Sequence, residues 1–509
     1  MYPGKWASEA PDRPAAVLTE TGEELTYAQL EERSAKLAHW FREQGLQRGD
    51  VVALLATNSL EHFEIYWAVM RSGLYLTPIN FHLLPSEVSY ILDDSDAQVL
   101  IASADLGDLA KEALAAAPKV RKALAYGGQI DGFEDYVAAY AGQPSGDLDD
   151  DRAGRAMLYS SGTTGKPKGV RQPLPEESVK SDGDGALNVV APIFGFGDQT
   201  RYLSPAPLYH AAPLRYSGQI QVWGGTVYVM PRFDAEDALR QIDRYQITHS
   251  QWVPTMFVRM LKLPEQTRGE YDVSSMQVAI HAAAPCPQDV KRAMIDWWGP
   301  VLWEYYAGSE GNGTTIINSE QWLTKPGSVG KPATTVVHIC DDEGNELPVG
   351  EIGKVYFESE RPPFEYYKSP EKTASSRHPR HEKWTAIGDL GYVDEDGFLF
   401  LAERQSFVII SGGVNIYPQE IEDALTMHPS VGDVAVIGVD DADLGEVVKA
   451  VVELVDGVPA NDDTREALME HLRERVAKYK LPRTIDFTER LPRTPTGKLR
   501  KHQLRAQYQ

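Results

Sequence analysis

YSSGTTGKPKGV, Tyr159 to Val170, is the stretch on which the reading of this 509-residue chain depends. It sets the hydroxyls of Ser160, Ser161, Thr163 and Thr164 among Gly162, Gly165 and Gly169, with Lys166 and Lys168 close by. Glycines let backbone N–H groups turn inward into an anion-binding concavity, hydroxyls donate to phosphate oxygens, and ammonium groups offset their charge. The pattern predicts a grip for phosphate groups. It is not a Walker loop, because only Thr163 and Thr164 separate the two glycines before Lys166, and Pro167 follows where a serine or threonine is required. The competing reading, a polar surface loop, does not call for so dense a set of donors.

Composition narrows what such a grip can serve. A net charge of −24 argues against general affinity for nucleic acid or anionic membranes, so an anionic ligand has to be held by local positive groups. Cys286 and Cys340 are the only cysteines, which suggests neither a disulfide framework nor a zinc site and fits a reducing cytoplasm. The N-terminal MYPGKWASEAPDRPAAV lacks the basic start and apolar core of a signal peptide, and nowhere is there a run of apolar residues long enough to span a membrane. The length allows about three domain-sized units.

Working outward, the first hundred residues alternate helical and strand-like patterns. A helix near Tyr27 to Gln44 stops at Gly45, VVALLA (Val51 to Ala56) reads as a buried strand, and a helix over Glu61 to Ser72 leads through Gly73 into LYLTPI. QVLIAS (Gln98 to Ser103) continues the series, and the alternation predicts doubly wound, largely parallel sheets. Residues 141–155 and 175–185 read as polar connections. From about Thr334 short strands and turn signals take over, with a hairpin over Gly391 to Ala402 turning at DEDG, so an antiparallel β subdomain is expected to complete the large region. The last hundred residues carry a helix at Pro418 to Met427, strands at VAVIGV and VVKAVVEL, a helix near Thr464 to Lys478 and a basic tail from Arg493 to Arg505. They predict a small, separate α+β domain.

Five further stretches carry chemistry. In LSPAPLYHAAPLRYSG, His210 follows an apolar and aromatic segment, where a lone histidine is ordinarily a satisfied core residue. HAAAPCP (His281 to Pro287) is a run of small residues, suited to close backbone approach to a ligand and equally to a tight helix entry. EYYAGSEGNGTT (Glu304 to Thr315) combines aromatic rings with Glu310; its Gly308-Ser309-Glu310-Gly311 nearly makes a nucleophile elbow, but Ala307 breaks that pattern. TAIGDLGYVDEDGFLFLAER places Asp389 after a glycine at a strand end and Arg404 after the hairpin, where either taken singly is ordinarily a surface charge. LPRTPTGKLRK sets Lys498 near the C-terminus, where a lysine is ordinarily a solvated charge.

Together with VIISGGVNIYPQEIE (Val408 to Glu422), these stretches in this order resemble the adenylate-forming superfamily of acyl-CoA synthetases, aryl-CoA ligases, luciferases and peptide-synthetase adenylation domains. The resemblance covers nearly the whole chain. It implies an N-terminal domain over residues 1–405 and a mobile C-terminal domain over 406–509, with the hinge at Ser406. It also implies that Ser160 to Gly165 and Lys168 hold ATP phosphates, and that Thr164 and Glu310 serve Mg²⁺. Tyr306, Ser309, Asp389 and Arg404 would hold the nucleotide, with Asp389 and Arg404 as the ribose pair. His210, Ala283, Ala284 and Gly308 would line the acyl site, the turn at Trp223 to Thr226 would begin the pocket's next strand, and Lys498 would reach the carboxylate and α-phosphate.

Departures from the family pattern are Ala307 and Ser309, which stand for its usual glycine and threonine, and Ser406 with Phe407, where charged residues are usual. The implied activity is an AMP-forming acyl-CoA synthetase acting on a carboxylic acid with ATP and coenzyme A, in wording nearest to bacterial enzymes of bulky hydrophobic acids. The alternatives are loading of a carrier protein, a single half-reaction, and a nucleotide sensor without turnover. A homodimer is an open expectation.

Overall fold

The computed structural model describes residues 2–160, 167–181, 188, 190–360, 363–441, 443–493 and 499–508. Its architecture follows from which apolar runs are buried on both faces. Val51–Leu55, Tyr75–Ile79 and Ala97–Ser103 are almost wholly buried and pair in parallel, forming the centre of a six-stranded sheet with Lys122–Tyr126, Glu134–Asp135 and Arg155–Ala156 outside them. Continuous apolar strands of this kind belong in a sheet covered on both faces.

The covering helices come from the expected alternation. Tyr27–Glu43 starts at a capping box, in which Thr26 accepts from the Gln29 amide and Gln29 reaches back to the Thr26 amide; it ends before Gly45 at φ +81°. Glu61–Met70 is buried around its whole circumference. That burial arises because this helix and Tyr27–Glu43 lie between the six-stranded sheet and a second sheet, with Trp40, Phe41, Phe63 and Val227 in one core.

The second sheet holds fourteen strands among the described residues. Its parallel part runs Pro14–Leu18, Thr226–Val229, Arg201–Ser204, His249–Trp252, Val278–His281, Leu302–Ala307. It then turns antiparallel through Thr314–Asn318, Ser328–Pro332, Leu399–Arg404, Asp389–Val393, Gly353–Glu358 and Val336–Cys340. The strands expected as an antiparallel subdomain therefore extend the large sheet rather than forming one of their own. Ser328–Pro332 makes the join, paired on one side to Thr314–Asn318 and on the other to Leu399–Arg404. Helices Ala235–Tyr245, Pro254–Leu261 and Gln288–Trp298 cover the outer face through Leu239, Phe257 and Trp298.

The chain after Phe407 builds a five-stranded sheet with its own core of Ile409, Ile421, Val436, Val452 and Leu472. The helix expected to reach Lys478 ends at Arg473, because Val476 turns into the core; a short 3₁₀ turn, Lys478–Lys480, follows and stops before Pro482. The basic tail is not extended: Lys501–Tyr508 is a helix that packs Leu504 against Ala435 and Val451.

Gly330 has φ +98°, and a Cβ there would stand 2.1 Å from the Ile316 carbonyl oxygen, so only glycine lets the joining strand cross so closely. Gly330→Ala is expected to lower unfolding free energy by at least about 2 kcal/mol, measured by denaturant titration, and to disturb nucleotide binding through the adjacent strands.

Candidate active site

The parallel strand ends and the antiparallel hairpin meet around a cleft of about 2190 Å³, lined among others by Ala283, Ala284, Tyr306, Asp389, Arg404 and Arg500. Open α/β sheets place ligands beyond the carboxyl ends of their strands, where this cleft lies. Asp389 and Arg404 sit directly opposite each other in register on neighbouring strands. The Arg404 Nε lies 3.1 Å from Asp389 Oδ1, and the Tyr306 hydroxyl donates to Asp389 Oδ2 at 2.6 Å. Burial and the Asp389 carboxylate push the Tyr306 hydroxyl well above its ordinary value, so it remains a donor. Burial pulls the Arg404 guanidinium down, but Asp389, Tyr306 and Glu310 together outweigh it and the net shift is upward.

Glu310 stands on the turn beyond Tyr306, close enough for its charge to act on both Tyr306 and Arg404. Its Oε1 accepts from the Tyr366 hydroxyl at 2.8 Å, and its backbone carbonyl accepts from Gln172 Nε2 at 3.4 Å. Among the described residues Oε2 has no donor, and no cluster of three metal-ligating side chains occurs. A single fixed carboxylate suits Mg²⁺, which takes one or two carboxylate oxygens together with substrate phosphates. Gly308 packs tightly: a Cβ would stand 2.8 Å from Glu310 Oε2 and 2.7 Å from Ile387. Ser309 is exposed, and it borders a second, small cavity of about 50 Å³ rather than the cleft.

The small-residue run leaves strand Val278–His281 and enters helix Gln288–Trp298. Ala283 adopts φ +75°, a conformation that costs a non-glycine residue roughly 1–2 kcal/mol and that recurs at functional sites. Beneath it lies a charge cluster that no motif signals. Lys291 is fully buried with its Nζ 2.5 Å from Glu304 Oε2, and His281 Nε2 is 3.8 Å from the same oxygen. Burial raises the Glu304 carboxyl and Lys291 lowers it again, with a net upward shift. Burial, reinforced by the Lys291 charge, drives the His281 imidazole well below its ordinary value, so it is neutral. Glu304 shares its strand with Tyr306 and also lines the cleft.

His210 immediately precedes helix Ala211–Val222 and is not among the described residues lining the cleft; its ring packs 4.3 Å from Tyr209, which packs edge-on to Phe81 at the cleft wall. The turn at Trp223 to Thr226 leads into strand Thr226–Val229, as expected, and is not among the described residues lining the cleft; a Cβ on Gly224 would meet the Trp6 ring at 2.4 Å, so the glycine serves the docking of helix Gly4–Glu9. Ser160 pairs in register with Lys168 across an antiparallel ladder, and burial, reinforced by Lys372, lowers the Lys168 ammonium. Ser161, Gly162, Thr163, Thr164, Gly165 and Lys166 lie outside the described residues, as does Lys498. An antiparallel bridge between Arg493 and Leu499 brackets the segment that contains Lys498, and Arg500 and Lys501, just after it, line the cleft. Ser406 is exposed in the short turn Gln405–Phe407.

Residues 4–362 match the AMP-binding enzyme family and residues 420–498 match the AMP-binding enzyme C-terminal domain, and the chain belongs to this adenylate-forming family. It is 32% identical over 501 residues to a feruloyl-CoA synthase of an Amycolatopsis species, covering 97% of this chain and 96% of that protein. It is likewise 32% identical over 503 residues to the long-chain-fatty-acid–CoA ligase FadD13 of Mycobacterium tuberculosis, with 99% and 97% covered. Among solved structures, the anthranilate CoA ligase AuaEII in complex with anthranoyl-AMP superposes with a TM-score of 0.84 at 25% identity, over 100% of this chain and 97% of that one.

Removing Lys291 leaves Glu304 buried without its counter-ion. Lys291→Met is expected to destabilise the protein by about 3–5 kcal/mol at neutral pH. The Glu304 carboxyl then rises further, so the folded state binds more protons than the unfolded one. The deficit is therefore smallest below the unfolded carboxylate pKa and grows as pH rises toward the folded value. Denaturant titrations at several pH values, with Lys291→Met/Glu304→Gln as the compensated pair, check this.

Proposed function

We propose that the chain is an AMP-forming acyl-CoA synthetase. The observation that carries this reading is Asp389, a carboxylate held by Tyr306 and Arg404 at the cleft of a chain that matches this family along its length. A fixed carboxylate is a ready acceptor for the two ribose hydroxyls of ATP, and Arg404 adds a rigid donor fork. The backbone at Ala283 and Ala284 is open to close approach by the ligand, and the Tyr306 ring stands beside it. Ser160 to Gly165, including Thr164, with Lys168, grip the phosphates. Glu310, with Thr164, would hold Mg²⁺, which when bound would supply positive charge to offset that of the phosphates.

In the first half-reaction a carboxylate oxygen of the acid attacks the α-phosphorus, the new O–P bond forming as the bond to pyrophosphate breaks. The protein's part is to align the two anions and stabilise the charge that develops, with Lys498 as the cation directed at them. In the second, the thiolate sulfur of coenzyme A attacks the acyl carbon; the thioester bond forms, the carbon–oxygen bond to AMP breaks, and the thiol proton passes to solvent. Residues 406–509 would turn about Ser406 between the halves. The acid is hydrophobic on this reading, since Tyr305 beside the cleft stacks on Tyr216 at 5.7 Å within a group of aromatic rings that includes Phe194, Phe196 and Trp303. A cytoplasmic setting suits the two free cysteines, and no helix of the described residues is long and apolar enough to cross a membrane.

The test supplies Mg²⁺-ATP, coenzyme A and a panel of aromatic and aliphatic acids. AMP, pyrophosphate and an acyl-CoA are the expected products; ADP and phosphate would overturn the reading, and acceptance of a phosphopantetheine carrier in place of free coenzyme A would overturn the choice of thiol. Asp389→Asn replaces a charged acceptor by a neutral one and is expected to raise the KM for ATP about tenfold to a hundredfold.

A further inference from the structure

The tail after residue 498 is held by a buried charge that bridges the two parts of the chain. Lys501 opens the last helix, and its Nζ lies 2.9 Å from Glu422 Oε1 and 3.4 Å from Glu403 Oε2. Glu422 belongs to helix Pro418–Thr426 of the small domain, and the same Oε1 accepts from the Val436 amide at 2.7 Å. Glu403 belongs to strand Leu399–Arg404 of the large region and immediately precedes Arg404. Both ion pairs are shielded, each with both side chains 9% exposed. Asp423 stands close by, its carboxyl lifted to about 7 chiefly by burial, so a single ammonium serves a crowded group of carboxylates. Phe407 is not an independent apolar surface: its ring lies 4.9 Å from His502 and 5.6 Å from the Lys501 Nζ, and it closes the cluster from the hinge side.

The consequence lies one residue upstream. Arg500, fixed by its amide to the Pro492 carbonyl, lies close enough to His82 and Tyr209 across the cleft for its charge to act on both. Lys501 thus anchors the start of the last helix while Arg500 faces the opposite wall. The Glu422 contact lies within the small domain and survives any rigid turn of it; the Glu403 contact crosses the boundary and does not.

We propose that Glu403 is a positioning residue for the first half-reaction: through Lys501 it fixes the C-terminal tail over the nucleotide cleft, and its release accompanies the turn to the second half. This rests on the two-step reading above, and it adds a residue whose effect falls on one step. A buried ion pair with one partner removed leaves an uncompensated charge, but here Glu422 still pairs with Lys501, so Glu403→Gln should loosen the tail without unfolding the domain.

The experiment compares the parent with Glu403→Gln and Glu403→Asp. Single-turnover formation of acyl-AMP is expected to slow about tenfold in Glu403→Gln and to recover in large part in Glu403→Asp, while thioester formation from supplied acyl-AMP changes less than about twofold. Hydrogen exchange in the ligand-free protein supplies a readout independent of turnover: amides of residues 499–504 and Gln405 should exchange faster in Glu403→Gln. Unchanged exchange, or equal losses in both half-reactions with a lowered melting temperature, would overturn the proposal. A parent that forms no acyl-AMP would overturn the functional reading instead, and the exchange comparison would still decide whether Glu403 holds the tail.

Discussion

A carboxylate placed between a phenol and a guanidinium is the constraint on which the cleft depends. Asp389 accepts from Tyr306 at 2.6 Å and faces Arg404 at 3.1 Å, and the three residues come from three strands. Tyr306 lies on the last strand of the parallel run, whereas Asp389 and Arg404 lie on the antiparallel hairpin. The contact therefore closes the corner where one sheet changes from parallel to antiparallel pairing. Burying a carboxylate is unfavourable unless its lone pairs are satisfied, and this one is satisfied by donors already fixed in strands. An acceptor held in this way needs no reorganisation when a ligand with paired hydroxyls arrives.

The same corner explains why the cleft tolerates strain. Ala283 sits at φ +75° where a parallel strand ends, and the turn is held beneath by Lys291 and Glu304 at 2.5 Å. The backbone is kept in an unfavourable conformation by packing and charge around it, with the small side chain leaving the cleft open. Glu304, Tyr305 and Tyr306 follow one another along a single strand, so the ion pair below and the aromatic rings above share one rigid support.

Much of this was legible in the sequence because the informative signals are local. Gly45, the capping box at Thr26 and the runs at Val51 and Tyr75 act within a few residues, and the helices and strands appear where they imply. Asp389 and Arg404 were legible as a pair only through the family resemblance, since either taken singly reads as a surface charge; the structure sets them opposite each other on neighbouring strands. What could not be read is set by long-range contact. Lys291 and Glu304 meet across a helix and a strand, and Glu403 and Lys501 meet across 98 residues of chain. Why Gly224 must be glycine was not legible for the same reason, since the Trp6 ring that requires it comes from the first helix of the chain. For His210 a motif can mark a histidine without showing that it leads helix Ala211–Val222 and packs its ring on Tyr209.

The central claim is that this cleft activates a carboxylate on the α-phosphorus of ATP before any thiol is involved. The most direct measurement is exchange of labelled pyrophosphate into ATP, with a hydrophobic carboxylic acid present and every thiol left out. The account predicts exchange that depends on the acid, survives the absence of coenzyme A and is lost in Asp389→Ala. Exchange that requires a thiol, or that proceeds equally well in Asp389→Ala, would contradict it.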